Sequence, residues 1–313
     1  MKTQLFAALV TSLLTVQAFA YPKTIQSCDR EVTFNAAPAR AASNDVNLTE
    51  MMLTLGLADR MVGYTGISGW KTLDESLREG IGELPELSPK YPTREVLIGA
   101  DLDFWFAGWN YGMKVGGEVT PATLAPFGIK VYELTESCVF VSSKNKASID
   151  DMYNDILNLG HIFDVQDKAH ALVAGWKQDI IHMRQQIDPD AKGLRVFVYD
   201  SGEESPFTAA RYAIPTALIE LAGGHNIMDD VEASWTRVAW EAVVERNPEV
   251  IVIVNYGEVT AAQKIEFLKS QPALATIDAV KHNRFVVLDY IEATPGPRNI
   301  QAIQTLINTF YPL

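Results

Sequence analysis

Large aromatic rings and charged groups recur in this chain just after runs of apolar residues, where a strand hands over to a loop. Trp70 follows "RMVGYTGISG", Trp109 and Tyr111 sit in "GWNYG" after "FWFA", and Glu136 follows "IKVYELT". Farther on, Glu204, Phe207 and Arg211 follow "RVFVYDSGE", Trp235 precedes "TRVAWE", Tyr256 follows "VIVIVN", and Arg298 lies beyond "FVVLD". Flat rings lose little rotamer entropy on binding, and arginine offers a rigid fork to oxygen anions. Such a set suits the holding of a bulky, partly anionic chelate better than a bond-breaking step. Glu203 and Glu204 are the nearest thing to a hydrolytic carboxylate pair, but neighbours in sequence seldom face one another across a substrate. There is no Gly-x-Ser-x-Gly elbow, phosphate loop or His-Glu-x-x-His pattern. A secreted hydrolase is the alternative from a different class. No catalytic residue, resident cofactor or metal site is expected.

The elements that position these residues alternate between strand and helix. Asn47, with Glu50 three positions on, has the form of a capping box for a helix carrying Leu48, Met51, Met52 and Leu55 on one face up to Gly56. Strands are expected over 60–65, 104–107, 129–134, 194–199, 249–254 and 284–289. A helical stripe from Ile149 through Leu157 is expected to end at Gly160. Residues 166–188 carry apolar positions at spacings of three and four without proline, which predicts one long helix. Alternating strands and helices imply parallel sheets covered by helices. The fold class is therefore α/β: two Rossmann-like lobes with parallel sheets, 21–165 and 189–313, joined by one long helix over 166–188, with a ligand cleft between the lobes. A short phrase is repeated across them. In "REVLIGADLD" and "WEAVVERNPE" a glutamate, Glu95 or Glu241, opens a helix, and an acid eight positions later, Asp103 or Glu249, precedes a buried strand. Glutamate at a helix start is also favoured simply by the macrodipole.

The two ends and the composition set the compartment. "MKTQLFAALVTSLLTVQAFA" reads as a cleaved secretory signal over 1–20, with the mature start near Tyr21 and a destination outside the cytoplasm. A net charge of -13 argues against a nucleic-acid partner, which needs lysine and arginine to displace counterions. Cys28 and Cys138 are the only cysteines; in an oxidising compartment they favour one disulfide, with two buried free thiols as the alternative.

"NLTEMMLTLGLADRMVGYT", "SPFTAARYAIPTALIELAGGHNIM" and "SWTRVAWEAVVERNPEVIVIV", with the spacing between them, resemble the periplasmic substrate-binding proteins of iron-siderophore, haem and vitamin B12 ABC importers. The resemblance covers the chain beyond the signal. It implies a rigid helical backbone between the lobes and a monomer that delivers its ligand to the permease dimer of an inner-membrane importer. It also implies that Glu95 and Glu241 dock onto permease arginines. A ferric siderophore is the leading ligand, held through aromatic contact and Arg211 or Arg298. A corrinoid, suggested by Phe207 and Trp235, and haem, with tyrosine as axial ligand, are the alternatives within the family.

Overall fold

The computed structural model describes residues 21–71, 73–143, 146–188 and 190–312. The expected signal segment lies outside them. β1 (Lys23–Ser27) and β2 (Arg30–Phe34) form an antiparallel hairpin. After β3 (Ala41–Asn44) come α1 (Val46–Thr54), β4 (Met61–Thr65), α2 (Glu75–Ile81), β5 (Glu86–Ser88), α3 (Arg94–Gly99) and β6 (Phe104–Trp109). The lobe is completed by β7 (Gly112–Met113), α4 (Pro121–Leu124), β8 (Lys130–Glu133), a 3-10 turn over Thr135–Phe140, and α5 (Ile149–Ile162). Its sheet runs β5-β4-β3-β6-β7, with β8 also on β6, and every pairing is parallel. β6 is buried along its whole length, and apolar clusters lie on both sides of the sheet. That explains its unbroken apolar character, since a parallel strand covered on both faces has no solvent side.

α6 (Gln166–Arg184) is 19 residues long, about 28 Å at 1.5 Å per residue. The second lobe then contains β9 (Arg195–Tyr199), β10 (Phe207–Ala209), α7 (Ile214–Leu221), β11 (His225–Asn226), β12 (Trp235–Arg237) and α8 (Trp240–Arg246). It ends with β13 (Val250–Asn255), α9 (Ala261–Ser270), α10 (Asp278–Lys281), β14 (Phe285–Asp289) and α11 (Asn299–Phe310). Its main sheet, β11-β9-β13-β14, is again parallel, and β10 and β12 form a separate antiparallel ribbon. The protein is thus an α/β molecule of two lobes, with α6 packed on α5 of the first and α11 of the second.

Two local expectations change. The cap of α1 is Asp45, whose carboxylate accepts the Val46 N–H, and not Asn47. Asn47 Nδ2 donates instead to Pro295 O at 2.7 Å, and Glu50 accepts from Arg298 Nε at 2.7 Å, so both side chains serve contacts with the second lobe. Gly160 does not end α5. A Cβ there would lie 2.4 Å from the Ala169 Cβ, so this glycine lets α5 and α6 approach closely. Cys28 and Cys138 are joined in a disulfide, tying the β1–β2 turn to the 3-10 turn after β8.

Candidate functional site

The ends of the strands converge on a cavity of about 260 Å³ between the lobes. Asn110, Tyr111 and Phe140 come to it from the first lobe, where β6 ends and the 3-10 turn begins its exit. The second lobe supplies Asp200 after β9, Phe207 and Trp235 from the ribbon, Val254 and Tyr256 at the end of β13, and Tyr290 and Thr294 after β14; Ser234 completes the lining. Strand ends are where open α/β sheets place their ligands. Phe207 and Trp235 stack with centroids 5.9 Å apart, because the ribbon pairs their strands face by face.

The polar groups around the cavity are firmly held. Tyr256 Oη donates to Asp200 Oδ1 at 2.8 Å and Tyr290 Oη donates to Asp45 Oδ2 at 2.9 Å. Lys71 Nζ lies 2.5 Å from the same Asp45 oxygen, and Lys264 Nζ donates to the backbone oxygens of Asp200 and Val254. Burial, and then the neighbouring carboxylates, push the phenols of Tyr111, Tyr256 and Tyr290 well above the usual tyrosine range. Burial also raises the Asp200 carboxyl, against the bonds from Ser201 and Tyr256 that lower it. These tyrosines are therefore neutral hydrogen-bonding groups, not phenolates.

Glu136 is buried beside the cavity's Tyr111, whose hydroxyl lies 3.5 Å from Oε2, and its Oε1 accepts the Ile214 N–H at 2.6 Å. The first lobe thereby caps α7 of the second, whose own N-cap residue, Ala213, has no side chain able to do so. With Asn47 to Pro295, Arg298 to Glu50 and Tyr290 to Asp45, the lobes are pinned to each other by side chains as well as along α6.

Of the residues singled out from sequence, Tyr111, Phe207, Trp235 and Tyr256 line the cavity. Trp109 is turned the other way, into the apolar layer, with Nε1 donating to Glu133 Oε1 at 2.9 Å; it lies on a strand where successive side chains alternate faces. Arg211 is held by Asp229 O and Glu232, and Arg298 by Glu50 and Asp74, so neither guanidinium reaches the cavity. Glu204 is exposed outside it. Trp70 stands edge-on to Tyr91, its N–H donating to Gly66 O, and lines no part of it. Asn110, Phe140, Asp200, Tyr290 and Thr294 were not singled out. Asp200 and Tyr290 directly follow strands, and that position alone would have found them.

Glu95 and Glu241 are both exposed in the first turns of α3 and α8. Among the described residues no group of three or more His, Cys, Asp or Glu is placed to hold a metal ion, and no helix is long and apolar enough to cross a membrane.

Comparison with known proteins agrees with this architecture. A family model described as "Periplasmic binding protein" matches residues 125–291. A Bacillus subtilis (strain 168) protein described as an uncharacterized ABC transporter substrate-binding lipoprotein is 22% identical over 297 residues, covering 93% of this chain and 86% of its own. A periplasmic binding protein from Veillonella parvula superposes with a TM-score of 0.81 at 28% identity, over 93% of this chain and 98% of that one. A protein of an ABC-type Fe3+-hydroxamate transport system from Saccharomonospora viridis gives a TM-score of 0.79 at 23% identity, over 93% and 99%.

Proposed function

The chain belongs to the periplasmic binding protein family, and from that premise we propose that it carries an electrically neutral ferric siderophore, of the hydroxamate class, to the permease of an ABC importer. The observation that carries this reading is the charge of the cavity lining. It is walled by Tyr111, Phe140, Phe207, Trp235, Tyr256 and Tyr290, and its one ionisable acid, Asp200, has its carboxylate bonded to Tyr256 and Ser201. Among the described residues no lysine, arginine or histidine lines it. Catecholate chelates carry several negative charges, and burying them without a cationic partner is costly. Three hydroxamates neutralise Fe3+, and the complex presents an apolar rim that aromatic walls can pack against. The name of the Saccharomonospora relative points the same way.

Haem is less favoured by the geometry, because an axial tyrosinate would have to leave its present partner: the Tyr256 and Tyr290 hydroxyls are bonded to Asp200 and Asp45. A corrinoid is the second reading, favoured by the Phe207–Trp235 stack in the segment that resembles the vitamin B12 binders. The chain acts by binding and delivery, without turnover. Export through a cleaved signal, a periplasmic location after cleavage near Tyr21, and work as a monomer belong to the same proposal. So does docking through Glu95 and Glu241, where fixed charges on separate lobes give register and association rate.

Titration of the purified protein with ferric tris(acetohydroxamate), cyanocobalamin and hemin, followed by tryptophan fluorescence, tests the ligand. Saturable one-to-one quenching by the hydroxamate, weakened about 10- to 100-fold by Trp235→Ala, is expected of an aromatic anchor. Quenching by cyanocobalamin alone supports the second reading, and quenching by none removes the chelate assignment.

A further inference from the structure

A second cavity, about 390 Å³, lies beyond the first, and the residues that line both are Tyr256 and Tyr290. Their rings stand 5.3 Å apart at 59° and form the wall between the chambers. Each ring is fixed in the same way. Tyr290 donates to Asp45 and carries Lys71 Nζ 4.6 Å from its ring centre, while Tyr256 donates to Asp200 and carries Lys264 Nζ 4.9 Å from its ring centre. Asp45 follows β3 and Asp200 follows β9, the first strands in chain order of the two parallel sheets. The wall is therefore built from two matching Asp, Lys and Tyr sets, one of them spanning both lobes. A ring tethered at its hydroxyl with a cation against one face has little freedom to swing.

We infer that the Tyr256–Tyr290 wall is the specificity-determining element of the cleft, confining the ligand to the aromatic chamber and excluding chelates too broad for it. The far chamber is of a different kind, bordered by Lys71, Asp74, Asn255 and Asp289, so a ligand crossing the wall would exchange aromatic contact for charged and amide groups. The inference rests on the binding role proposed above and adds a size limit to it.

The test compares two neutral probes of graded breadth, ferric tris(acetohydroxamate) and ferric tris(benzohydroxamate), on the wild type, Tyr256→Ala and Leu73→Trp. Leu73 borders only the far chamber, so Leu73→Trp fills it without touching the first. The wild type and Leu73→Trp should bind the compact probe equally and at least tenfold more tightly than the broad one. Tyr256→Ala should lose about tenfold for the compact probe and gain at least tenfold for the broad one. Broad-probe binding to the wild type that Leu73→Trp abolishes, or no gain from Tyr256→Ala, overturns the inference. If neither probe binds the wild type, the ligand assignment fails, and the crystal structure of Tyr256→Ala decides the wall separately. Merged chambers with Tyr290 still bonded to Asp45 uphold it; Tyr290 swung into the gap overturns it.

Discussion

The segments Arg94–Trp109 and Trp240–Asn255 build the same unit twice. In each, a left-handed residue, Asp101 (φ 54°) or Asn247 (φ 41°), ends the helix, and its carbonyl accepts an arginine Nε, from Arg40 at 2.7 Å or Arg195 at 2.9 Å. The acid two positions later then clamps the neighbouring strand. Asp103 accepts the Arg40 N–H at 3.0 Å and returns its own N–H to Arg40 O, and Glu249 does the same with Arg195. Beyond the strands the copies part. One ends in Trp109, buried against Glu133, before Asn110 and Tyr111; the other ends in Asn255 and Tyr256, with Tyr256 on the cavity wall. The duplicated part is scaffold, and the part that differs is the ligand surface.

The scaffold's outward glutamates give the largest expected effect. Glu95→Lys with Glu241→Lys should reduce uptake by more than about 100-fold in vesicles containing the partner importer, since reversed charges oppose docking. Ligand affinity, measured by fluorescence, should be unchanged. Full transport by the double variant would show that the repeated glutamates serve only their helices.

The first lobe's side of the cleft is cross-linked and the second lobe's is not, and the disulfide probes that contrast. It ties down the 3-10 turn that carries both Glu136 and Phe140. Cys28→Ser with Cys138→Ser should destabilise the protein by about 2 to 4 kcal/mol, read from urea unfolding, and should weaken ligand binding through Phe140. Unchanged affinity in the folded variant would mean that this rim is held by packing alone.

Asp155 restrains the same turn, accepting from Tyr132 Oη, Thr135 N–H and Thr135 Oγ1. Burial, opposed by these bonds, raises its carboxyl to about 7. The unfolded chain ionises near the ordinary aspartate value while the folded chain stays protonated. Its contribution to stability is thus fully present below about pH 4 and is lost as pH rises toward 7. Asp155→Asn should flatten that slope in unfolding experiments between those limits; an unaltered slope would assign it to another group.

The smallest effect tests the duplication itself. Asp103→Ala and Glu249→Ala should each cost about 0.5 to 1.5 kcal/mol by removing the bond that clamps a strand-end N–H. Costs that differ several-fold in thermal unfolding would show that the two copies are alike in form only.

The alternation of strands and helices was legible because buried parallel strands and amphipathic helices leave different periods in sequence. The repeated glutamate and acid were legible for the same reason, since both act within their own element or on the next strand. Short pieces such as α2, β5 and the β1–β2 hairpin carry too few periods to read. The cleft was half legible. Residues after strands can be named from order alone, but which way a ring turns depends on strand alternation, as Trp109 shows. Whether an arginine is free depends on partners such as Glu50 and Asp74, and nothing local in the sequence announces that Arg298 is spent on them.

Isothermal titration of the purified protein with a ferric chelate series differing only in charge bears most directly on the aromatic cavity. Tight binding of the neutral trishydroxamate, with at least tenfold weaker binding of an anionic triscatecholate, is the predicted result. Preference for the anionic chelate would contradict the account.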